Sequence, residues 1–178
     1  EGIIDSGNPV LLSAGLHGIA VAGKPWWQSQ VVGADATLQD LRFPLLQRVL
    51  SKIAQNSAYS PSDVKFILGS YFAVDKYAEL AANERRAVNV MKLDGGFSGL
   101  SYNGIPIVPD ADAVHNRFSF VVPDALTIYR TSDFDWIDDG AVLRKVSGKD
   151  AYEGTLFVYQ NLGCNARNGL GLLRGVRE

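Results

Sequence analysis

Sulfur and imidazole ligands are scarce in this chain. Its 178 residues include one cysteine, Cys164, and two histidines, His17 and His115. A single cysteine can form neither an intrachain disulfide nor a cysteine-based zinc site. Because the histidines lie far apart without an HxH or HxxxH partner, we expect ordinary loop or surface residues. Cys164 stands beside apolar strand residues, so we expect a small core residue rather than a nucleophile.

The chain also lacks an excess charge of either sign and a long apolar run. Its 17 Lys and Arg and 19 Asp and Glu give a formal net charge of -2, and the basic residues are spread out. A broad basic field for nucleic acid is therefore excluded. No apolar run approaches the length of a membrane helix, and no signal-peptide pattern is present. At 47% hydrophobic residues, the composition is that of an ordinary globular protein.

Motifs for nucleophilic catalysis are nearly absent. A nucleophile elbow needs G-x-S-x-G between a strand and a helix. The segment around Ser101 ends in Asn103 instead of glycine, and the segment around Ser98 ends in Leu100. A serine hydrolase that pairs Ser98 or Ser101 with His115 stays as an alternative of another class.

Metal and nucleotide motifs fail on spacing. An EF-hand loop starting at Asp135 would place Ile137 at position three and Val146 at position twelve, where oxygen ligands are required. We expect its acidic residues to form a turn before a strand, with a looser cation site at a subunit contact as the alternative. The glycine-rich tail misses the dinucleotide fingerprint by one residue, which favours a flexible tail or tight turns. Asp110 and Asp112 are expected in a surface loop. The sequence therefore predicts no catalytic, cofactor or metal site.

The first half of the chain alternates helix and strand. A helix is predicted over Thr37–Gln55, with a capping-box-like start at Thr37 and Asp40. Pro44 should kink this helix or mark its true first turn. Further elements are predicted as a buried strand, a helix and a second strand, over Val64–Leu68, Tyr71–Ala87 and Val88–Leu93 respectively.

The second half is dominated by strands. Asn103-Gly104 between alternating apolar residues is a strong hairpin signal, and Pro106 just after it favours an edge strand or a bulge. Tyr152–Asn161 alternates cleanly and predicts one long closing strand. Other strands are predicted over Phe118–Val122, Leu126–Arg130 and Ala141–Val146. The fold class is α+β.

Two adjacent tryptophans follow Pro25. In an extended chain Trp26 and Trp27 would point to opposite faces, so at least one needs a partner surface. The sequence leaves two readings open, burial in the protein's own core and a subunit interface.

These features together resemble tailed-bacteriophage major capsid proteins. In that family a glycine-rich loop precedes a Y-x-G-x-P-I-x-x-D hairpin, and a W-x-D-x-D-G-like turn leads to a closing strand ending in Y-x-N-L. The resemblance extends from about Gly15 to Asn168. The matching residues are Tyr102, Gly104, Pro106, Ile107, Asp110, Trp136, Asp138, Asp139, Gly140, Tyr159, Asn161 and Leu162.

The resemblance implies the Hong-Kong-ninety-seven-type capsid fold. Its axial domain packs helices around a small central sheet, and its peripheral domain contributes strands. We therefore expect an extended initial segment over residues 1–30, an axial-domain-like region over 31–125, and closing strands of a peripheral-domain-like sheet over 126–178. The implied function is that of a non-enzymatic major capsid subunit that self-assembles into an icosahedral shell enclosing phage DNA.

The implied partners are copies of the same chain, as pentamers and hexamers when full length. Scaffolding and portal proteins would also be partners, and packaged DNA would be contacted only non-specifically. The resemblance places the protein in the virion, assembled in the host cytoplasm, with no membrane contact. An encapsulin-like nanocompartment shell, which shares this architecture, is the alternative within this fold. A phage tail or adaptor binding module is a further alternative.

The sequence departs from the family on its N-terminal side. An N-terminal arm, an extended loop and a spine helix should precede the axial domain, and no segment before Gly15 matches them. Because the chain opens at Glu1, we expect a truncated or processed capsid chain. Without the partner loop, Asn161, Asn165 and Asn168 cannot be assigned to the inter-subunit cross-link that some members form.

Overall fold

A computed structural model describes residues 17–19, 23–83, 90–92, 98–138 and 141–177. The chain divides into two compact units. The large unit comprises Glu1–Ala125 and Cys164–Glu178, and the small unit comprises Leu126–Gly163. None of the helices in the described residues is long and apolar enough to cross a membrane.

The described elements alternate helix and strand at first and are strands thereafter. In chain order they are β1 (Gln30–Val32), α1 (Phe43–Asn56), β2 (Phe66–Gly69), α2 (Tyr71–Asn83), β3 (Val90–Lys92), β4 (Ser98–Tyr102), β5 (Ile105–Pro109), β6 (Arg117–Val121), β7 (Leu126–Arg130), β8 (Asp135–Trp136), β9 (Arg144–Lys145), β10 (Tyr152–Glu153), β11 (Leu156–Phe157), β12 (Gln160–Cys164) and β13 (Gly171–Arg174). Short 3-10 turns cover Pro25–Trp27, Pro61–Asp63, Pro123–Ala125 and Arg167–Gly169.

The large unit is built on a seven-stranded mixed sheet in the order β1-β13-β6-β2-β5-β4-β3. The β1–β13 and β2–β5 pairs are parallel, and the other neighbours are antiparallel. The chain enters the sheet at β1 and returns at its end to place β13 between β1 and β6. The first and the last described strands, β1 and β13, are therefore neighbours at one end of the open sheet.

Helix α1 covers one end of this sheet. Leu46, Val49, Leu50 and Ile53 are all buried on the face that meets the strands. Burying each such side chain contributes about 1.5–3 kcal/mol. The close packing depends on Gly171 in β13, since an added Cβ there would lie 2.5 Å from a methyl of Val49 and 2.9 Å from Ile53.

The predicted start of this helix is wrong. Thr37 does not cap it, because its backbone pairs with Ala34 in an isolated bridge instead. The helix begins at Phe43, with Pro44 in its first turn and no side-chain cap from Arg42. Of the two readings of Pro44, the first-turn reading is the confirmed one.

A buried aromatic cluster joins α1, α2 and β4. The Phe43 ring stacks on Tyr102 at 6.0 Å and meets Tyr77 edge-on at 5.9 Å between centroids. The Tyr77 hydroxyl donates to the Ser101 carbonyl oxygen at 2.7 Å, and the Tyr102 hydroxyl donates to the Phe43 carbonyl oxygen at 3.2 Å. Each tyrosine thus buries its ring and satisfies its hydroxyl group.

The hairpin predicted at Asn103-Gly104 is confirmed. Both residues have positive φ, 50° and 78°, as a two-residue turn of the type I′ kind requires, and Tyr102 pairs with Ile105. The edge-strand prediction for Pro106 is wrong, because β5 lies between β2 and β4. Pairing with β2 begins only at Ile107, so the missing N–H of Pro106 falls before that ladder.

The single long strand predicted over Tyr152–Asn161 is also wrong. This stretch holds β10, β11 and the start of β12, and the small unit forms three separate two-stranded ladders, β7–β12, β8–β11 and β9–β10. Neither face of the alternating pattern is buried. Because no core covers either face, nothing holds these residues in one continuous strand. The predicted strand Leu126–Arg130, by contrast, is confirmed as β7.

Several predictions lie outside the described residues. Most of the initial segment 1–30 is among them, as are residues 84–89, which contain the predicted end of helix Tyr71–Ala87. The Asp139-Gly140 part of the acidic turn also lies outside. Of the strand predicted over Val88–Leu93, the described portion is β3.

Candidate assembly surface

The predicted serine–histidine pairs are not brought together. Ser98 and Ser101 lie on β4, whereas His115 precedes β6, and β5 and β2 separate these two strands in the sheet. Three strand spacings amount to about 14 Å, far beyond the roughly 3 Å that a nucleophile and its base require. Ser101 is buried opposite Pro106. The geometry therefore gives the hydrolase alternative no support.

The acidic residues around Asp135 make local contacts within the small unit. Asp133 accepts a hydrogen bond from Arg130 at 2.9 Å, and Asp135 accepts from the backbone N–H of Trp136 at 2.8 Å. In the described ranges, no group of three or more His, Cys, Asp or Glu side chains is placed to hold a metal ion. Their contacts are those of a turn.

The loop after β5 is also held by local hydrogen bonds. Asp110 accepts the backbone N–H of Asp112 at 3.0 Å, and its own N–H donates to the Gly69 carbonyl at 2.9 Å. The Asp110 side chain thus closes a turn by accepting the backbone N–H two residues later, as aspartate commonly does. Asp110 and Asp112 therefore lie in a loop, as predicted, at the end of the sheet where β2 and β5 both finish.

The glycine-rich tail belongs to the sheet and its turns. Gly175 has a positive φ of 69°, and an added Cβ there would lie 2.3 Å from the Ala34 carbonyl oxygen. Nearby, the Asp35 carboxylate accepts hydrogen bonds from Arg117 at 2.8 Å and from Arg174 at 3.3 Å. These contacts fix β6 and β13 to the loop after β1. The tail is thus structural, as the tight-turn reading expected.

A cleft of about 260 Å³ lies beside α2 in the large unit. Its charges are already paired, because Lys76 contacts Glu79 at 2.9 Å and Arg177 contacts Asp40 at 3.3 Å. Such balanced, solvent-exposed pairs contribute little on their own. The lining residues are Asp40, Leu41, Lys76, Glu79, Leu80, Asn83 and Arg177.

Cys164 is buried, which confirms the core prediction. Burial raises the pKa of its thiol, and a hydrogen bond with the Ala166 backbone and the positive charge of Arg167 partly offset this rise. The Cys164 backbone N–H donates a hydrogen bond to Nε2 of His17 at 3.1 Å. A thiol with a raised pKa is a poor nucleophile at neutral pH.

Exposed aromatic residues gather where α2 begins. Ser70 caps the helix through its hydroxyl, which accepts the Ala73 N–H at 3.2 Å. The next two residues, Tyr71 and Phe72, are 57% and 62% exposed. The Phe72 ring lies 6.2 Å from His115, which follows the exposed Val114. We call Tyr71, Phe72, Val114 and His115 the end patch.

Sequence reasoning missed the end patch. The prediction gave a helix from Tyr71 but no division of that helix into a buried and an exposed face. The signal was available, because the buried stripe of Ala73, Val74, Tyr77 and Ala81 follows helical spacing and leaves the first two aromatic residues off it. The approach of the β5–β6 loop to the helix start, by contrast, has no sequence signal.

The two tryptophans are divided between core and surface. They lie in a 3-10 turn rather than an extended chain; Trp27 is 5% exposed and Trp26 is 57% exposed, with their rings 5.9 Å apart. Burial in the protein's own core is therefore the confirmed reading for Trp27. Trp26 is a second exposed aromatic site on the large unit.

The small unit exposes many more large apolar side chains than it buries. Each is at least 40% exposed: Ile128, Tyr129, Phe134, Trp136, Ile137, Val142, Leu143, Tyr152, Leu156, Tyr159 and Leu162. We call this set the small-unit surface. So many exposed large apolar side chains in a segment of this size are typical of an interaction site.

This chain is similar to known proteins in structure, whereas comparisons of its sequence find no match. No family model and no curated protein matches the sequence. A cyanophage A-1(L) capsid structure matches with a TM-score of 0.62 and 17% identity, over 90% of this chain and 54% of that one. The holo-SrpI encapsulin complex of Synechococcus elongatus PCC 7942 matches with a TM-score of 0.59 and 12% identity, over 83% of this chain and 53% of that one.

The chain thus spans about half the length of both structures. At these identities the likeness establishes the fold. The α+β architecture is the Hong-Kong-ninety-seven-type capsid fold that the sequence resemblance implied.

Proposed function

We propose that this chain belongs to a phage-type major capsid subunit, which self-assembles into an icosahedral shell around DNA. The observation that carries the proposal is the shared fold over 90% of the chain with a cyanophage capsid protein. Its role would be structural rather than enzymatic, with no catalytic, cofactor or metal residues. The exposed aromatic residues of the end patch and Trp26 supply surface for subunit contacts.

The mechanism of such a subunit is mechanical. Rings and shells form when one surface of a subunit meets a different surface of the next copy and the rotation closes. Many modest contacts then act together, so no single one has to be strong. We propose that residues 31–125 act as an axial-domain-like region and 126–178 as closing strands of a peripheral-domain-like sheet, with residues 164–178 returning to the seven-stranded sheet of the large unit. The small negative net charge fits non-specific enclosure of DNA rather than sequence recognition.

An encapsulin-like shell is the second candidate, because the fold also matches an encapsulin over 83% of the chain. The two candidates differ in what the shell encloses. A capsid would retain nuclease-protected DNA and would have portal and scaffolding proteins as partners in an infected host cytoplasm. A nanocompartment would retain a protein cargo.

The test is to image the purified protein by negative-stain electron microscopy and to analyse its contents. We expect rings or closed particles that carry nuclease-resistant DNA; co-purifying cargo protein without DNA would favour the encapsulin reading. Phe72→Lys should reduce particle formation, whereas Ser51→Lys, an exposed change on α1, should not. A protein that stays strictly monomeric at high concentration would contradict both candidates.

A further inference from the structure

We infer that the small-unit surface is a docking site for a second copy of this chain. The inference rests on the proposed function, because it assigns one of the contacts that a self-assembling subunit needs. The observation behind it is the exposure of large apolar side chains on Leu126–Gly163, up to 65% at Tyr159 and 66% at Tyr152.

The small unit has no core of its own. Among its described residues only Gly163 is buried, whereas the large unit buries whole side chains from both helices and most strands. Units below about 40 residues usually need a disulfide, a metal or a partner chain to be stable. Leu126–Gly163 contains no cysteine, and its described residues bring no metal-binding group together. Burial of these side chains must then come from outside the unit, and we assign it to a second copy of the chain.

The backbone of the small unit also offers hydrogen-bonding edges. Its strands are described only in two-stranded ladders, β7–β12, β8–β11 and β9–β10, so each strand has one neighbour there. An isolated two-stranded ladder is marginal in water, and an edge strand is a template for pairing with another chain. The site therefore combines apolar side chains with strand edges.

Its charges favour a copy of the same chain over nucleic acid or an anionic membrane. Its charges come in blocks of both signs: acidic residues over 133–139 are followed by Arg144, Lys145 and Lys149, and these by Asp150 and Glu153. A nucleic acid or an anionic membrane would be attracted by a surface of one positive sign. A mixed surface is instead complementary to another mixed surface, and a second copy supplies one together with matching apolar residues.

The test places the photo-reactive amino acid p-benzoylphenylalanine at Tyr152 or Tyr159. A control protein carries it at Ser51, which is exposed on α1 of the large unit. Each protein is mixed as nitrogen-15-labelled and unlabelled copies, irradiated and analysed by mass spectrometry. Mixed-isotope products identify cross-links between copies, and sedimentation velocity records assembly in the same samples.

We expect mixed-isotope cross-links from positions 152 and 159 at least about tenfold above those from position 51. A chain that assembles but gives only same-copy products, or products with an added unrelated protein, would overturn the docking site and leave the proposed function standing. A chain that neither sediments as an assembly nor cross-links between copies would overturn both.

A substitution gives the second arm. The double variant Trp136→Lys and Leu143→Lys should weaken association at least about tenfold, while Ser51→Lys should leave it unchanged. Because both substituted side chains are about half exposed, circular dichroism should show the sheet of the large unit intact. An unchanged association constant in the folded double variant would count against the docking site.

Discussion

The large and small units place apolar residues of the same kinds in different surroundings. In the large unit Phe118, Phe120 and Ile67 are wholly buried in a seven-stranded sheet. In the small unit Trp136, Leu156 and similar side chains are 40% or more exposed on two-stranded ladders. The difference indicates that one region is stabilised by its own core, and we propose that the other gains burial from a second copy of the chain.

The largest difference in stability between matched variants of the two units should come from substitution of a central aromatic residue. Phe120→Ala removes a buried ring from β6, the strand that lies between β13 and β2. We expect the free energy of unfolding to fall by about 3–5 kcal/mol. Tyr152→Ala is the matched change in the small unit and should stay within about 0.5 kcal/mol in dilute solution. Urea unfolding of both variants measures this difference. Equal losses would contradict the assignment of the core to the large unit.

Added volume should sharpen the same contrast. Gly171→Ala puts a methyl group against Val49 and Ile53, and overpacking of this kind costs about 1–3 kcal/mol. Gly154→Ala in the small unit places its methyl 3.1 Å from Leu143, whose exposed side chain has room to move, so the cost should be smaller. Thermal unfolding checks both variants. A larger loss for the Gly154 variant would show a packed interior where we describe none.

Removal of a single buried hydroxyl should have a smaller effect. Tyr77→Phe leaves the Ser101 carbonyl without the hydrogen bond that the hydroxyl now donates, which should cost about 1–2 kcal/mol. The control is Tyr152→Phe, since that residue is exposed in the small unit. Chemical unfolding measures the two together. No loss in the Tyr77 variant would mean that water or another donor replaces the hydroxyl.

The smallest effect is expected at Cys164. Burial raises the pKa of its thiol, so the folded state holds its proton at pH values where the unfolded chain has lost it. The contribution of this group to stability is therefore full below the unfolded pKa and declines as the pH rises above about 8.5. At pH 8, labelling with a thiol reagent should be slower in the native protein than in urea. Equal rates would show that the thiol is exposed.

Local signals in the sequence predicted part of this structure well. The hairpin at Asn103-Gly104 follows from two residues that tolerate positive φ, and β7 follows from a short apolar run between turns. The start of α1 could not be predicted, because Thr37 forms a bridge with Ala34 that depends on the fold around it. Local chemistry thus determines turns, while non-local pairing decides where elements begin.

The candidate surfaces were harder to predict for the same reason. Alternation over Tyr152–Asn161 indicated a strand with one buried face, yet nothing in the described chain covers either face. The end patch depends on the β5–β6 loop meeting the start of α2, which places Phe72 beside His115. A sequence pattern records which residues are apolar, but not which neighbour buries them.

Amide hydrogen exchange tests the central contrast most directly. Measured on dilute, monomeric protein, exchange should be slow in β6, β2 and β13 of the large unit and fast throughout the small unit, since protection follows burial and cooperative packing. On the assembled protein, protection of the small unit should rise. Slow exchange of the small unit in the monomer, equal to that of β6, would contradict the account.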